Sequence, residues 1–435
     1  MAIDERNYWF TYITFLKQFK SLQYHGYPIA LFSHYFRNTT SNHRVINYFK
    51  ENSATQYINL QKEFVLNEPR MISNSKPKSS LPIGFYDHLL RLPKKQIVRQ
   101  FEQGEIIWLS KKTLVKESYI KSIHAKRYQE QAKVMFKSIE HHPILGDPAF
   151  QKYFLNEIPM IIASLIAAMK LIEQNPMKAL VIGTTNELKS RVLTYVARRN
   201  GIPTVCLQHG IIASPLGYLP KVADHLVVYS SYEQDLYKQY GVNPSTVHPL
   251  GHPRFDPIMN MKRSKRSQNP KRKQPIILLI CHHEQFEQTR TIINKLERQG
   301  YDLILKPRTS LKKLRKEIRP SKHIVINNKA HLHELIARSD CVISYESTVV
   351  LEAMLFNKPV FIWKSEQLIP VRTFESIGAF FYEEAGKIAN HVISFFQDGL
   401  KAEADQVRQD YIKDHYFSSS ASSLNELVKL LKRTF

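Results

Sequence analysis

The stretch ALVIGTTNELKSRVLTYVARRNGIPTVCLQHG, residues 179–210, decides the fold class. It holds two short, continuously apolar runs, ALVIG at 179–183 and TVCL at 204–207, joined by a helix-like segment at about 187–200. Strands that are apolar at every position are covered on both faces, as in parallel sheets whose connections are helices. The stretch therefore predicts a β-α-β unit, with Gln208, His209 and Gly210 at the carboxyl end of its second strand.

The same alternation continues on both sides of this unit. A long helix is predicted at about 150–174, a further strand at 225–229, and a first buried strand at 28–35. A second series of apolar runs follows at 276–280, 302–305, 323–326, 341–344 and 359–363. Between the two series, the stretch 261–275 holds seven basic residues and two prolines, which is typical of a linker.

These runs predict an α/β chain with two Rossmann-like parallel-sheet domains that face an interdomain cleft. Ligands of such folds bind beyond the carboxyl ends of the strands, where helix N-termini favour phosphate. The boundaries that we predict are an N-terminal acceptor domain at 1–258, a basic linker at 259–275, a nucleotide-donor domain at 276–410, and a C-terminal helix at 411–435 that packs back on the N-terminal domain.

The composition sets the class of partner. The net charge of +24, from 62 basic and 38 acidic residues, indicates a surface that attracts nucleic acid, an anionic membrane face or a phosphorylated substrate. The three cysteines show neither disulfide nor metal spacing. The most apolar run, 158–169, contains Pro159 and is shorter than the roughly 20 residues of a membrane span. We therefore expect no membrane span and a cytoplasmic location.

Two motifs in the first series carry candidate chemistry. His209 follows a strand and can accept a proton near neutral pH, while Gln208 and Gly210 shape the turn around it. The alternative is a histidine that only hydrogen-bonds across the domain. The second motif is a turn at 251–256, in which Gly251 and His252 fix the backbone and Arg254 is placed to meet a phosphate. The alternative there is a hinge turn without ligand contact.

The second series carries the candidate donor site. Ser347 and Thr348 lie where the strand 341–344 gives way to a helix, and their hydroxyl and N–H groups suit a diphosphate. Ordinary N-capping by Ser347 is the alternative. The other donor-binding candidates are Glu346, Glu352 for ribose hydroxyls, and the cations Lys306 and Arg308, which could equally be a surface pair. The stretch CHHE at 281–284 resembles a metal site in composition only, and we expect no metal.

These motifs, in this order, resemble the GT-B superfamily of transferases. The match spans roughly residues 150–420 and is strongest at 179–210 and at SYESTVVLEAMLFNKPVFI, 344–362. The nearest branches are bacterial surface and capsular polysaccharide transferases and CDP-glycerol glycerophosphotransferase-like proteins of teichoic acid synthesis. In these families, the histidine of the HG motif is the acceptor base, which corresponds to His209. Many relatives have histidine where this chain has Lys306.

The resemblance implies a glycosyltransferase, or a glycerophosphotransferase-like enzyme, of cell-envelope polysaccharide synthesis. Its donor would be a nucleotide sugar or CDP-glycerol-like compound, and its acceptor a lipid-linked or anionic glycan at the inner membrane face, where the protein would be peripheral. No metal or other cofactor is required. The same motif order also resembles UDP-N-acetylglucosamine 2-epimerases, which stay an alternative, as does a basic nucleic-acid-binding protein without enzymatic activity. No nucleic-acid-binding module is evident, so nucleic acid is the less favoured partner.

Overall fold

The protein is described by a computed structural model that covers a large part of the chain. The described residues are 4–34, 46–49, 59–66, 68, 80–110, 123–261, 274–281, 286–308, 314–316, 318, 320–364, 369–382, 384–416 and 422–435. They form two compact units, of which unit 1 comprises 1–254, 367–371 and 421–435, and unit 2 comprises 255–366 and 372–420.

The strands are β1 (Gln23–Tyr24), β2 (Tyr27–Pro28), β3 (Ile83–Asp87), β4 (Ile106–Ser110), β5 (Ala179–Ile182), β6 (Thr204–Leu207), β7 (His225–Val228), β8 (Val247–Pro249), β9 (Ile276–Cys281), β10 (Asp302–Pro307), β11 (Ile324–Ile326), β12 (Cys341–Tyr345), β13 (Val360–Trp363) and β14 (Phe381–Tyr382). The helices are α1 (Glu5–Gln18), α2 (Leu60–Val65), α3 (Lys94–Val98), α4 (Ile123–Lys137), α5 (Pro148–Gln174), α6 (Leu188–Arg199), α7 (Ser231–Gln239), α8 (Asp256–Met261), α9 (Phe286–Arg298), α10 (Leu332–Arg338), α11 (Thr348–Leu355), α12 (Ala385–Asp398), α13 (Lys401–His415) and α14 (Ser423–Thr434).

Unit 1 contains a six-stranded sheet in the order β4-β3-β5-β6-β7-β8. All its neighbouring strands are parallel, with Phe85 opposite Val181 and Val181 opposite Val205 at its centre. The strand order reverses between β3 and β5, because β4 follows β3 on one side and β5 lies on the other. Open α/β sheets bind ligands at such a reversal, beyond the carboxyl ends of the strands.

Unit 2 contains a second six-stranded parallel sheet, in the order β11-β10-β9-β12-β13-β14. This is the Rossmann order, and it reverses between β9 and β12. The predicted α/β class with two parallel sheets is thus confirmed, and the strands predicted from 276 onward lie within a residue or two of their observed bounds.

Helix α5, which was predicted at about 150–174, contains Pro159 in its interior. The helix continues through this residue for 27 residues in all. Proline lacks the N–H that would bond the carbonyl four residues earlier, which here is that of Leu155. The Gln129 side-chain amide donates to that carbonyl instead, at 2.9 Å. The broken helical bond is therefore replaced by a contact from α4.

Among the described helices, α5 is long and apolar enough to cross a membrane by length and composition. In its most apolar 18-residue window, 56% is buried inside the protein. Core helices of globular proteins pass the same test, and the buried side of α5 includes Phe150, Phe154 and Ile158. The helix is longer than the apolar run 158–169 considered in the sequence, but its length and composition alone do not make it a membrane span.

The prediction of a buried strand at 28–35 is wrong. Only Tyr27–Pro28 is extended, and it pairs with Gln23–Tyr24 in a short antiparallel ribbon. Residues Ile29–Phe32 form a buried 3-10 turn in the core that also contains α1 and α5. A short apolar run shows that a segment is buried but does not distinguish a strand from a helical turn. Residue 35 lies outside the described residues.

The C-terminal helix α14 belongs to unit 1. Its apolar stripe, Leu424, Leu427, Val428 and Leu431, packs with sheet residues that include Phe85 and Val205. Its N-cap is Ser422, whose side chain accepts from the Asn425 N–H at 3.2 Å. Most of the predicted basic linker (residues 262–273), residues 282–284 and much of the region 67–79 lie outside the described residues.

Candidate functional site

The carboxyl edge of the first sheet brings together three chain segments that follow β3, β5 and β6. The closest approach is at Gly183, directly after β5. A Cβ atom there would lie 2.3 Å from the carbonyl carbon of Leu89 and 2.4 Å from the nitrogen of Leu90. These are backbone atoms, which cannot turn aside as a flexible side chain would. Glycine is therefore required for the segment after β3 to cross the end of β5.

The segment after β3 has an unusual backbone. Leu89 and Arg91 have φ angles of 56° and 50°, in the left-handed region that non-glycine residues rarely adopt. This path carries Arg91 to the end of β6, where its guanidinium donates to the His209 carbonyl at 3.3 Å. Strained residues of this kind cluster at functional sites. The structure thus joins the ends of β3 and β6 across the end of β5.

His209 is half-buried at the end of β6, and its ring stacks on Tyr218 with centroids 5.3 Å apart and planes 13° apart. Burial, followed by the positive charges of Arg91 and Arg254, lowers the pKa of His209 to about 4, while Glu187 opposes the shift. The imidazole is therefore neutral at physiological pH. A neutral imidazole can accept a proton, although a pKa this low makes it a weak base.

Gln208 positions this turn instead of facing a ligand. Its side-chain amide donates to the Gly210 carbonyl at 2.9 Å and to Glu233 at 3.2 Å, and its oxygen accepts from the Tyr229 N–H at 3.2 Å. Glu233 also accepts from the Ser230 hydroxyl at 2.6 Å. Burial raises the pKa of Glu233 to about 7. This buried network fixes the end of β6 to the beginning of α7.

The turn at 251–254 lies in the same unit. Gly251 has a φ of 70°, which favours glycine. His252 is 1% exposed, and its Nδ1 accepts from the Arg254 N–H at 3.1 Å. The Arg254 guanidinium donates to the Tyr229 hydroxyl at 2.9 Å and contributes to the low pKa of His209. The structure therefore brings Arg254 into electrostatic range of His209.

Sequence reasoning missed a histidine–carboxylate pair at this edge. His88, just after β3, lies 2.5 Å from Glu187, the residue before α6 (Nε2 to Oε2). The two residues are 99 positions apart, so no local motif could have revealed the pair. Glu187 follows the predicted strand at 179–183, but no strand was predicted before His88, so that half of the pair had no signal in the sequence.

The candidate donor residues of unit 2 gather around the end of β12. Ser347 occupies the N-cap position of α11, but its side chain makes no hydrogen bond to the first turn of that helix. Its hydroxyl lies instead 3.2 Å from that of Ser344. Thr348 is half-buried at the first position of the helix. Ordinary side-chain capping by Ser347 is thus not what the structure shows.

The remaining donor candidates have protein partners. Lys306 donates to the carbonyls of Ala330 at 2.8 Å and Asn328 at 3.1 Å. Glu352 is 6% exposed and lies 3.2 Å from Nε2 of His333. Arg308 is exposed and donates to the Tyr345 hydroxyl at 2.6 Å. Glu346 is half-buried beside Tyr345. The charged side chains that could contact a ligand therefore also form hydrogen bonds that hold the loops after β10 and β11 in place.

Within the described part of the chain, no group of three or more histidine, cysteine or acidic residues is arranged to hold a metal ion. The three cysteines, Cys206, Cys281 and Cys341, are buried and free. Burial raises the pKa of the Cys206 and Cys281 thiols to about 12, so neither is a thiolate near neutral pH.

The low pKa of His209 leads to a prediction that needs no assay of turnover. In an NMR titration of the histidine rings, we expect His209 to protonate with a midpoint near pH 4. Arg91→Gln removes a positive charge that disfavours the imidazolium, so the midpoint should move upward while staying below the ordinary value of about 6.5, because burial remains. A wild-type midpoint at pH 6.5, or a lower midpoint in the variant than in wild type, would contradict the claim that burial and Arg91 lower the pKa of His209.

Neither protein-family models nor curated proteins match this chain by sequence. Solved structures do match. A putative UDP-N-acetylglucosamine 2-epimerase from Listeria monocytogenes is 11% identical with a TM-score of 0.53, covering 82% of this chain and 97% of its own. The UDP-N-acetylglucosamine 2-epimerase from Neisseria meningitidis, bound to UDP-GlcNAc, is 10% identical with a TM-score of 0.51, covering 81% and 99%.

The glycotransferase of kitacinnamycin is 9% identical with a TM-score of 0.50, covering 83% of this chain and 100% of its own. At these identities, the likeness shows the fold alone. The chain therefore has the GT-B fold that these enzymes share, as the motif order implied. The comparisons give no support to the narrower resemblance to CDP-glycerol glycerophosphotransferase-like proteins.

Proposed function

We propose that this protein is a nucleotide-sugar-dependent enzyme and that it transfers the sugar to an acceptor hydroxyl. One observation carries the proposal. The imidazole of His209, which is neutral, lies at the carboxyl edge of the first sheet, close to the point where the strand order reverses. Ligands of open α/β sheets bind at such edges. The structures with the same fold act on or bind nucleotide sugars, according to their names, which supports the same ligand class here.

The second sheet by itself carries the candidate site for the donor. The N-terminus of α11 lies at the end of β12, which is the strand beside the reversal in that sheet. Backbone N–H groups and the helix dipole at such a position stabilise a diphosphate. Because the Ser347 side chain does not cap the helix, its hydroxyl and that of Thr348 are assigned to the donor diphosphate. Lys306 and Arg308 would add positive charge.

The reaction follows from these assignments. The acceptor oxygen forms a bond to the anomeric carbon, and the bond from that carbon to the diphosphate oxygen breaks. His209 takes the hydroxyl proton, and the electron pair of the broken bond leaves with the nucleoside diphosphate. Groups fixed in advance at the helix N-terminus stabilise the developing negative charge. Three more specific points stay predictions from the sequence resemblance. They are a lipid-linked or anionic glycan as the acceptor, CDP-glycerol as the donor, and a role in capsule or teichoic acid synthesis.

Epimerisation of UDP-N-acetylglucosamine is the second candidate, and the comparisons favour it. Two of the three structures described above carry that name. Inverting a carbon next to the anomeric centre requires groups that remove and return a carbon-bound proton, and carboxylates are among the side chains that can do so. At the carboxyl edge of the first sheet, the described carboxylates include Glu187, held by His88, and Asp87, paired with Lys94. Of these two, Glu187 is close enough to raise the pKa of His209.

One experiment separates the two candidates. The protein is incubated with UDP-, CDP- and GDP-sugars and CDP-glycerol, and the products are identified by chromatography and NMR. Transfer or donor hydrolysis releases a nucleoside diphosphate or monophosphate in step with turnover. Epimerisation instead converts UDP-N-acetylglucosamine to its C2 epimer and, run in D₂O, introduces deuterium at C2. Absence of both binding and turnover across the panel would refute the nucleotide-sugar proposal.

The diphosphate assignment makes a prediction with a matched control. Ser347→Ala should weaken UDP binding at least about 10-fold, since a hydrogen bond to a charged group contributes about 1.5–3 kcal/mol, and should leave thermal stability nearly unchanged. Ser422→Ala, which removes a side-chain cap that does exist, should cost about 1 kcal/mol of stability and leave UDP binding unchanged. Calorimetric titration and thermal unfolding measure both. Equal UDP affinity in wild type and Ser347→Ala contradicts the assignment.

A further inference from the structure

We infer that unit 1 has a second binding site, at the amino edge of its sheet, for a phosphate ester that carries an apolar organic group. The site is a cavity of about 880 Å³, a volume typical of small-molecule sites. Among the described residues, its lining comes from the ends of α1, α2 and α6 and from the hairpin β1–β2. This site is separate from the proposed function and does not depend on it.

The cavity lies at the opposite end of the sheet from His209. Helix α6 begins after the carboxyl end of β5 and ends at Arg199, just before β6 begins. In its last turn, Nε of Arg198 donates to Asp224 at 2.9 Å. Asp224 precedes β7, and it also accepts from the N–H of Thr204, the first residue of β6, at 2.9 Å. These contacts place the cavity at the amino ends of β6 and β7, away from the edge that carries His209.

The three cations of the cavity differ in whether carboxylates compensate their charge. Arg198 is compensated by two carboxylates, of which Glu68 lies 2.7 Å from its guanidinium. In the described part of the chain, Arg199 and Lys20 form no ion pair, and each donates to a backbone carbonyl at 2.7 Å. Two cations without a carboxylate partner match the charge of a phosphate monoester, which is about −1.5 to −2 near neutral pH.

The hairpin β1–β2 holds the Arg199 guanidinium in place. Its Cζ lies 4.5 Å from the centroid of the Tyr27 ring, and Nη1 donates to the His25 carbonyl. A Cβ atom at Gly26 would lie 2.4–2.8 Å from three guanidinium atoms, so the glycine lets the guanidinium pack against the turn. The terminal N–H groups that the His25 carbonyl does not use can donate to phosphate oxygens. A guanidinium fixed in advance loses little freedom when it binds them.

Apolar side chains at the same cavity favour an organic ester over free phosphate. Val65 and Leu66 line the cavity and are 50% and 58% exposed, which is unusual for large apolar residues. The Lys20 ammonium donates to the Leu66 carbonyl, which fixes these side chains beside a cation. An apolar group on the ester would remove them from water. The cavity therefore presents cations to the phosphate and an apolar wall to the rest of the ligand.

Calorimetric titration of the full chain with inorganic phosphate and with hexyl phosphate tests the inference. Hexyl phosphate should bind more tightly than inorganic phosphate. Arg199→Gln should weaken both at least about 10-fold, because it removes a charged hydrogen-bond donor. Lys20→Gln, at an exposed position, should weaken both about 3-fold or more. Leu66→Ser should weaken hexyl phosphate about 3-fold or more and leave inorganic phosphate unchanged, because it removes only the apolar contact.

Lys152→Gln is the matched control, since it removes the same charge from the exposed surface of α5, at a different hollow. It should leave both affinities unchanged, and the amide NMR signals of His25 and Gly26 should shift saturably with hexyl phosphate. Equal weakening by Lys152→Gln and Arg199→Gln would mean an adventitious ion only and would overturn the inference. Wild-type affinity in a folded Arg199→Gln or in Lys20→Gln, or no binding of hexyl phosphate, would also overturn it.

The same variants separate this site from the candidate donor site. UDP affinity should be equal in Arg199→Gln and wild type, because the diphosphate contacts are assigned to Ser347 and Thr348 in unit 2. Ser347→Ala should in turn leave hexyl phosphate binding unchanged. Failure of the phosphate-ester site therefore leaves the proposed function standing, and a chain that binds hexyl phosphate but no nucleotide would refute the proposed function alone.

Discussion

Replacing His209 with glutamine is expected to lower kcat by about 10²- to 10⁴-fold, the range that a positioned general base contributes. Glutamine keeps a polar side chain of similar reach against Tyr218 but cannot accept a proton from the acceptor hydroxyl. The affinity for UDP should change little, because the proposed diphosphate contacts belong to Ser347 and Thr348. The measurement is initial-rate kinetics together with calorimetric titration of UDP.

His248 supplies the control for this substitution. Its pKa is also lowered to about 4, by burial and then by His225, but its partner His225 lies at the amino end of β7, away from the candidate site. His248→Gln should therefore keep wild-type kcat. If His248→Gln and His209→Gln lose activity equally, the loss comes from disturbed folding and not from the removal of a base. If neither loses activity, His209 is not a base in this reaction.

Gly183→Ala is expected to destabilise unit 1 strongly. The added Cβ would lie 2.3–2.6 Å from three backbone atoms of the segment after β3, those of His88, Leu89 and Leu90. Overpacking of this kind costs about 1–3 kcal/mol, and more where backbone must move. We therefore expect a loss of at least about 3 kcal/mol in the free energy of unfolding, measured by denaturant titration.

The same change should also disturb the chemistry, because the displaced segment carries both His88 and Arg91. In a folded Gly183→Ala protein, the NMR midpoint of His209 should shift as Arg91 moves away from it. Gly217→Ala is the control, since a Cβ there meets only the flexible Asn186 side chain, at 3.3 Å. Gly217→Ala should lower the free energy of unfolding by less than about 1 kcal/mol. Equal stability of the two variants contradicts the close approach at Gly183.

The central strands could be predicted because burial alone determines their pattern. ALVI and TVCL are apolar at every position, and the observed strands at 179–182 and 204–207 are buried at every position. The same rule failed at 28–35, where a buried apolar run is instead a 3-10 turn packed in the core with α1. The helix at 150–174 was predicted although it contains Pro159, and the carbonyl of Leu155 that the proline leaves unbonded accepts from a side chain of another helix.

The candidate site was predictable only where its residues follow strands in sequence. His209 and Ser347 have local signals, since each follows an apolar run within three residues and precedes a glycine or a helix. The pairing of His88 with Glu187, and that of Glu352 with His333, depends on contacts between distant segments. The left-handed conformations of Leu89 and Arg91 have no sequence signal either, because neither residue is glycine. Tertiary structure, not local pattern, determines these features.

Calorimetric titration of the full-length protein with UDP, followed by UDP-N-acetylglucosamine, tests the central claim most directly. The account predicts saturable binding at one site per chain, weakened in Ser347→Ala, and heat from turnover of the sugar nucleotide that His209→Gln largely abolishes. Binding that Ser347→Ala leaves intact would contradict the diphosphate assignment. No heat with UDP or with any other nucleotide of the panel would contradict the claim that this chain is a nucleotide-sugar enzyme.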